Sequence, residues 1–251
     1  MKNGALILPK HELTIKDYKM KNISKLILVG TMLAVLSLSN TAKAQDSTSA
    51  NKVSFNAGAD IYSSYVWRGS KFAGPSIQPS VAMNAGDFTL GVWGSYGTVV
   101  PGGGPYYETD PYLSFNFKMG LSLGLTAYYY EGDITKVSDT TSSFAYEVNV
   151  GYSIKNLSLS ANCVLNNSRA GAGSQGGDTY LQATYNFSRF NIFLGAGNGW
   201  YTVNHNFDIC NLGVGTSKTI QVTSKFSVPV TGQVIVNPNK KQMFMVVGFT
   251  L

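Results

Sequence analysis

From residue 53 to residue 251, apolar and polar side chains alternate with a period of two. In the first stretch Val53, Phe55, Ala57, Ala59, Ile61, Tyr65 and Trp67 fall on one face. Ser54, Asn56, Gly58, Asp60, Tyr62, Ser64 and Arg68 fall on the other. Successive side chains of a strand point to opposite faces, so this is a long strand with one apolar side. The same reading along the chain predicts twelve strands, over 53–67, 76–84, 87–96, 109–117, 121–130, 143–154, 157–166, 178–187, 190–200, 207–220, 227–236 and 242–251. The apolar faces are explicit in Leu121, Leu123 and Leu125, in Val148, Val150 and Tyr152, and in Met243, Met245, Val247, Phe249 and Leu251. No segment keeps a helical period over three turns, and no domain boundary interrupts 53–251.

The predicted connections alternate in length. Residues 84–87, 118–120, 155–156 and 188–189 are tight turns, whereas 99–108, 131–141 and 166–177 are long and rich in Gly, Ser, Thr or Asp. Such a pattern suits either a soluble β-sandwich or a β-barrel in a membrane. Four features favour the barrel. Only 13% of all residues are charged, and the polar face is Ser, Asn, Gly, Thr and Gln, with the character of a lumen. Strands of about ten residues match a tilted crossing of a bilayer, whereas soluble strands average about five or six. Aromatics sit toward the ends of the apolar faces. Tyr65, Trp67, Tyr96, Tyr129, Tyr146 and Trp200 lie toward the long-loop end, and Phe117, Tyr152, Phe187 and Phe249 toward the short-turn end. Two girdles are expected where amphipathic rings meet lipid headgroups. The final strand ends with Phe249 and Leu251 on the apolar face, which suits a terminal strand read by the barrel-insertion machinery. An even strand count puts both chain ends on the short-turn, periplasmic side.

Residues 20–44 have the form of a secretory signal. Met20, Lys21 and Lys25 make a basic start, residues 26–38 an apolar core, and Ala42-Lys43-Ala44 a small-residue cleavage site. Residues 1–19 precede a second Met-Lys-Asn start and are expected to be a misassigned extension. Residues 1–44 carry 7 Lys against 2 acidic residues, which leaves 12 basic and 11 acidic residues over 45–251. The formal +6 of the whole chain thus belongs mostly to the leader, and no basic patch for nucleic acid remains. Residues 45–52 are a polar tail and 53–251 the barrel.

At Gly58-Ala-Asp-Ile-Tyr-Ser-Ser-Tyr-Val-Trp-Arg-Gly69 the first strand resembles the opening motif of the TorF-like porin family of bacterial outer-membrane β-barrel proteins. The end is similar too, through Val228-Pro229-Val230, Ile235-Val236-Asn237-Pro238 and the closing strand. The resemblance implies a barrel and diffusion of small solutes, and carries no catalytic or ligand residue across.

Inward-facing ionisable and polar groups are the candidates for sorting solutes. These are Asp60, Tyr62 and Arg68 on the first strand, Tyr112 and Asn116 on the fourth, and Glu147 and Asn149 on the sixth. Two readings stand side by side. In one they line a constriction. In the other Asp60, Arg68 and Glu147 form a network that plugs a narrow barrel, since twelve strands lie between the filled interior of eight and the open channel of sixteen. Gly69 is expected to permit a turn. Beyond the leader the one histidine is His205, in a loop near Asp208, and no nucleophile is placed beside it. Cys163 and Cys210 are both outward by parity, on strands too far apart for a disulfide. Tyr106, Tyr107, Trp93 and 128–130 have the ring faces to stack on a sugar, against the plainer reading of girdle and rim packing. No His, Cys or carboxylate cluster has metal spacing, and no cofactor is expected.

The sequence thus leads to an all-β protein, a transmembrane antiparallel barrel of about twelve strands in the outer membrane of a Gram-negative cell. The expected function is passive diffusion of small hydrophilic solutes, without enzymatic activity. The expected partners are outer-membrane lipids, the insertion machinery and the solutes, and the pattern sets no oligomeric state. The alternatives are a closed structural or adhesive barrel that works through its loops, and a lipid-modifying enzyme at the rim around His205.

Overall fold

The computed structural model of the chain describes residues 53–98, 103–138, 141–171 and 173–251. The expected leader, extension and polar tail all lie outside the described residues. Sixteen strands follow in order: β1 (Val53–Tyr62), β2 (Tyr65–Trp67), β3 (Ser70–Ala73), β4 (Ser76–Ala85), β5 (Phe88–Gly97), β6 (Tyr106–Asn116), β7 (Leu121–Tyr129), β8 (Phe144–Ile154), β9 (Leu157–Val164), β10 (Asn167–Ser168), β11 (Ser174–Gln175), β12 (Thr179–Asn186), β13 (Asn191–Gly197), β14 (Asp208–Thr223), β15 (Phe226–Asn237) and β16 (Gln242–Thr250). Twelve of them close an antiparallel barrel in the order β1, β16, β15, β14, β13, β12, β9, β8, β7, β6, β5, β4. The remaining four form two short hairpins, β2–β3 and β10–β11, and Gly199–Tyr201 is a single 3-10 turn.

Closure is made by β1, which pairs with β4 along its whole length and with β16 at Asp60 to Thr250, Ile61 to Phe249 and Tyr62 to Gly248. The backbone of Leu251 both donates to and accepts from Ala59, at 2.9 and 3.2 Å. The ladder therefore runs to the last residue, and no barrel edge is left open.

Strand register aligns the apolar parity into rows around the outside. One row runs Phe55, Met83, Leu90, Leu113, Leu125, Val148 and Cys163 through successive pairs. Another runs Leu159, Ala183, Leu194, Leu212, Val236 and Met243. Phe55, Leu90, Leu125, Leu159, Leu194, Leu212 and Met243 of these rows stand exposed, Met243 at 72%, and their row neighbours are half-buried between them. A continuous apolar belt of this extent in water would drive association. It fits the lipid-facing surface of an outer-membrane barrel. Among the described residues no helix is long and apolar enough to cross a membrane.

The twelve barrel strands match the sequence reading within a few residues, with one informative departure. The first strand stops at Tyr62, not at residue 67, and the chain then turns inward as the β2–β3 hairpin. Ser63 and Ser64 end the alternation, and Ser63 ties the break to the wall by exchanging bonds with Val247.

Candidate functional site

The hairpin β2–β3 stands inside the long-loop end of the barrel. Its two-residue turn is Arg68-Gly69, both at positive φ (47° and 78°), with Trp67 paired to Ser70. Two central residues at positive φ define the turn whose twist suits a tight hairpin. Gly69 is required twice over, since a Cβ there would run into the backbone carbonyl of Cys210. Asn237 donates to the Gly69 carbonyl at 3.0 Å and the Lys240 ammonium to the Ser70 hydroxyl at 2.7 Å, so the β15–β16 turn holds the hairpin tip. Burial in this contact holds the Lys240 ammonium below the usual lysine range.

From that tip Arg68 reaches Glu147 on β8. The guanidinium donates in parallel to both carboxylate oxygens, at 2.6 and 2.9 Å. The hydroxyls of Tyr128 (2.7 Å) and Tyr201 (3.0 Å) and the amide of Asn149 (2.6 Å) also donate to Glu147. Glu147 is fully buried, and five donors saturate its two oxygens. The Arg68 guanidinium lies over the rings of Trp67 and Tyr180, 4.3 and 4.7 Å from their centroids. Trp67 in turn packs edge-on against Tyr128 and Trp200. An ion pair taken out of water is stable only when its geometry and remaining hydrogen bonds are complete, and here they are.

A belt of side-chain bonds continues round the wall. Asn149 accepts from Thr126 at 2.9 Å and donates to Asn162 at 3.0 Å, and Asn211 donates to the Tyr180 hydroxyl at 2.8 Å. A Cβ on Gly195 would overlap that Tyr180 hydroxyl, so the absence of a side chain there lets the ring lie across the lumen. Opposite, Phe193, Ile235 and Val246 form an inward apolar cluster with Tyr62, Val66 and Phe244. Between hairpin and wall a cavity of about 410 Å³ remains, lined by Tyr62, Tyr65, Trp67, Gln78, Trp93, Asp110, Tyr112, Thr126, Tyr128 and Gln233 among others.

The sequence-derived lining residues divide accordingly. Arg68, Glu147 and Asn149 meet in one network, and Tyr62 and Tyr112 line the cavity. Arg68 belongs to the hairpin and not to the first barrel strand. Asp60 joins no plug: it accepts from Thr250 at 2.6 Å, next to the barrel seam. Asn116 lies at the short-turn mouth, bonded to Ser114. Of the expected girdle, Tyr96, Phe117, Tyr152, Phe187 and Phe249 are exposed on the outer face, and Tyr129 and Tyr146 flank Phe144 in a stacked outer row.

Three girdle assignments are overturned. Tyr65 is 7% exposed against Phe72, Trp93 and Tyr106, and Trp67 and Trp200 pack together inside. Their parity was counted through a strand that in fact ends at Tyr62 and through the 3-10 turn at 199–201. All three tryptophans of the chain therefore sit in the interior cluster or the cavity wall. Cys210 is also corrected. It occupies a bulge, where the β13–β14 register shifts, and is fully buried against Tyr180 and Tyr201, while Cys163 keeps its outward row. Both cysteines are free. Of the rings considered for stacking, Tyr106, Tyr128, Tyr130 and Trp93 face inward, whereas Tyr107 pairs with Tyr96 outside. His205 is exposed in its loop, and the Asp208 carboxylate is taken by Asn239 and the Ile209 amide.

Glu108, Asp110 and Tyr201 were missed as site residues. Tyr106 and Glu108 lay in what read as a loop, but β6 begins at Tyr106, and Glu108 and Asp110 then share the inward parity of Tyr112. That two acidic residues flank a threonine at the start of a strand was the available signal. Tyr201 had none, because a 3-10 turn aims it.

No family model matches the chain, and no curated protein matches it. The geometry itself establishes a closed twelve-stranded barrel, a fold that fits a porin-like outer-membrane channel.

Proposed function

We propose that the protein is a porin-like barrel of the outer membrane that passes small hydrophilic solutes, with the β2–β3 hairpin as its constriction. The observation that carries this reading is the pairing of an exposed apolar outer belt with an inner wall of polar and aromatic side chains around a cavity. The resemblance of residues 58–69 and 228–251 to TorF-like porins points the same way. Solutes would enter through the hydrated loops, pass the hairpin and leave through the short-turn mouth. The C-terminal strand would be the element that the insertion machinery recognises.

A second reading has its own support: a closed barrel that works through its outer loops. The Arg68–Glu147 lock, with Tyr128, Tyr201 and Asn149 around it, ties the hairpin across the lumen. Single-channel recording of the refolded barrel in a planar bilayer separates the two, after a heat-dependent gel shift has verified closure. Discrete steps that grow when Arg68 and Glu147 are replaced support the porin. Silence from both the wild type and the unlocked variant supports the closed barrel.

A further inference from the structure

Two carboxylates in the lumen have no basic side chain against them. Glu108 and Asp110 both face inward from β6, 4% and 5% exposed. Among the described residues the one salt bridge is between Arg68 and Glu147. The Tyr106 hydroxyl donates to Glu108 at 2.8 Å and the Tyr129 amide to Asp110 at 3.3 Å; Tyr65 and Tyr130 also bond Glu108, and the two acids bond each other. These are hydrogen-bond donors without a counter-charge. Directly across the ladder from Glu108, Ser95 is 5% exposed and its hydroxyl has no partner. When both ionise, two sequestered acids beside an idle hydroxyl make a costly arrangement that a cation would complete; without one they hold a proton between them.

The space for a cation is present. Asp110 lines the cavity of about 410 Å³, and the rings of Tyr65, Trp67, Trp93, Tyr112 and Tyr128 share its wall. A cation within about 6 Å of such a ring centroid is attracted to its negative face, and Trp is the strongest partner. A carboxylate in the wall of a cavity lined by aromatic rings is the chemistry that recognises an ammonium group. Arg68 does not oppose it, because Glu147 already meets its charge through two bonds. Among the described residues no three His, Cys, Asp or Glu are grouped for a metal ion, and a bare Ca²⁺ takes about 6–8 oxygens. The aromatic wall favours an organic cation.

We propose that this chamber binds a small organic cation, an alkylammonium or quaternary ammonium compound, held by Asp110 and by the rings of Trp93 and Tyr112, with Glu108 behind. The inference names a solute class for the porin-like reading and rests on that reading for the route by which the cation arrives.

The test is isothermal titration calorimetry of the refolded barrel in detergent, with choline as the probe. Its neutral analogue, with carbon in place of the quaternary nitrogen, is the control. Choline is expected to bind saturably and at least about tenfold tighter than the analogue, and Asp110→Asn to weaken it by about tenfold. Equal binding of choline and the analogue by the wild type overturns the proposal without reliance on any variant. Unchanged affinity in an Asp110→Asn barrel that shows the heat-dependent gel shift overturns it as well. Bilayer recordings on the same preparation keep the two readings apart. Conductance with no choline binding leaves the porin and removes the chamber. Choline binding with the expected charge preference, in a barrel that does not conduct, leaves the chamber and removes the porin.

Discussion

The two ends of the lumen are built differently. At the long-loop end Arg68, Glu147, Tyr128, Tyr180, Tyr201, Trp67 and Trp200 pack and hydrogen-bond across the space, leaving the cavity that Trp93 lines. At the short-turn end the arc from β6 to β12 presents Ser114, Gly124, Gly151, Ser158, Ser160 and Thr184 on the same inward parity. These short side chains leave room for water. The difference shows how a twelve-stranded circumference is managed. It is too wide for wall side chains alone to fill, so closing one end takes an inserted segment, and the hairpin is that segment.

If the hairpin sets the constriction, replacing 65–73 with a short Gly-Ser turn has the largest effect. A severalfold rise in single-channel conductance is expected, and unchanged steps would show that the hairpin does not govern passage. Next comes Glu147→Gln, which leaves Arg68 buried without its counter-charge. A loss of about 3–5 kcal/mol is expected in urea titrations followed by tryptophan fluorescence. The double change Arg68→Met, Glu147→Leu should recover most of that loss, which distinguishes a stranded charge from lost packing.

Gly69→Ala should cost about 1–3 kcal/mol, because it forces a side chain into a positive-φ turn with no space for it. Gly86 also has positive φ, but nothing lies near its absent side chain, so the same substitution there should cost less. At the roomy end, Ser114→Ala and Ser160→Ala should stay within about 0.5 kcal/mol, and a larger loss would show that this arc is packed after all.

The twelve crossings were legible because each strand has to satisfy the same two solvents. An apolar side faces out and a polar side faces the lumen, as suits a barrel in lipid, and this writes a period of two into every segment from Val53 onward. Short turns such as 155–156 and the terminal row of Met243, Met245, Val247 and Phe249 followed from the same rule. The inner face obeys no such rule. Phe193, Ile235, Phe244 and Val246 stand on the parity assigned to polar residues, since a side chain in the lumen answers to whatever lies across from it.

The site residues divide on the same line. Glu147 and Asn149 could be placed inward by counting along a regular strand. Arg68 could be named as a candidate, but its partner lies 79 residues away and its element is a hairpin that leaves the wall. Trp67 and Trp200 have the spacing of interface anchors, but the chain turns inward before each of them.

Local alternation by itself determined that this chain makes twelve membrane-length strands with one apolar face each, because the period of a strand is a property of its own backbone. Only the tertiary structure decided that β2–β3 folds into the lumen, that Arg68 meets Glu147, and that Asp110 faces an aromatic chamber. These depend on register accumulated around a closed sheet and on a bulge and a break, where one residue more or less reverses the face on which every later side chain falls.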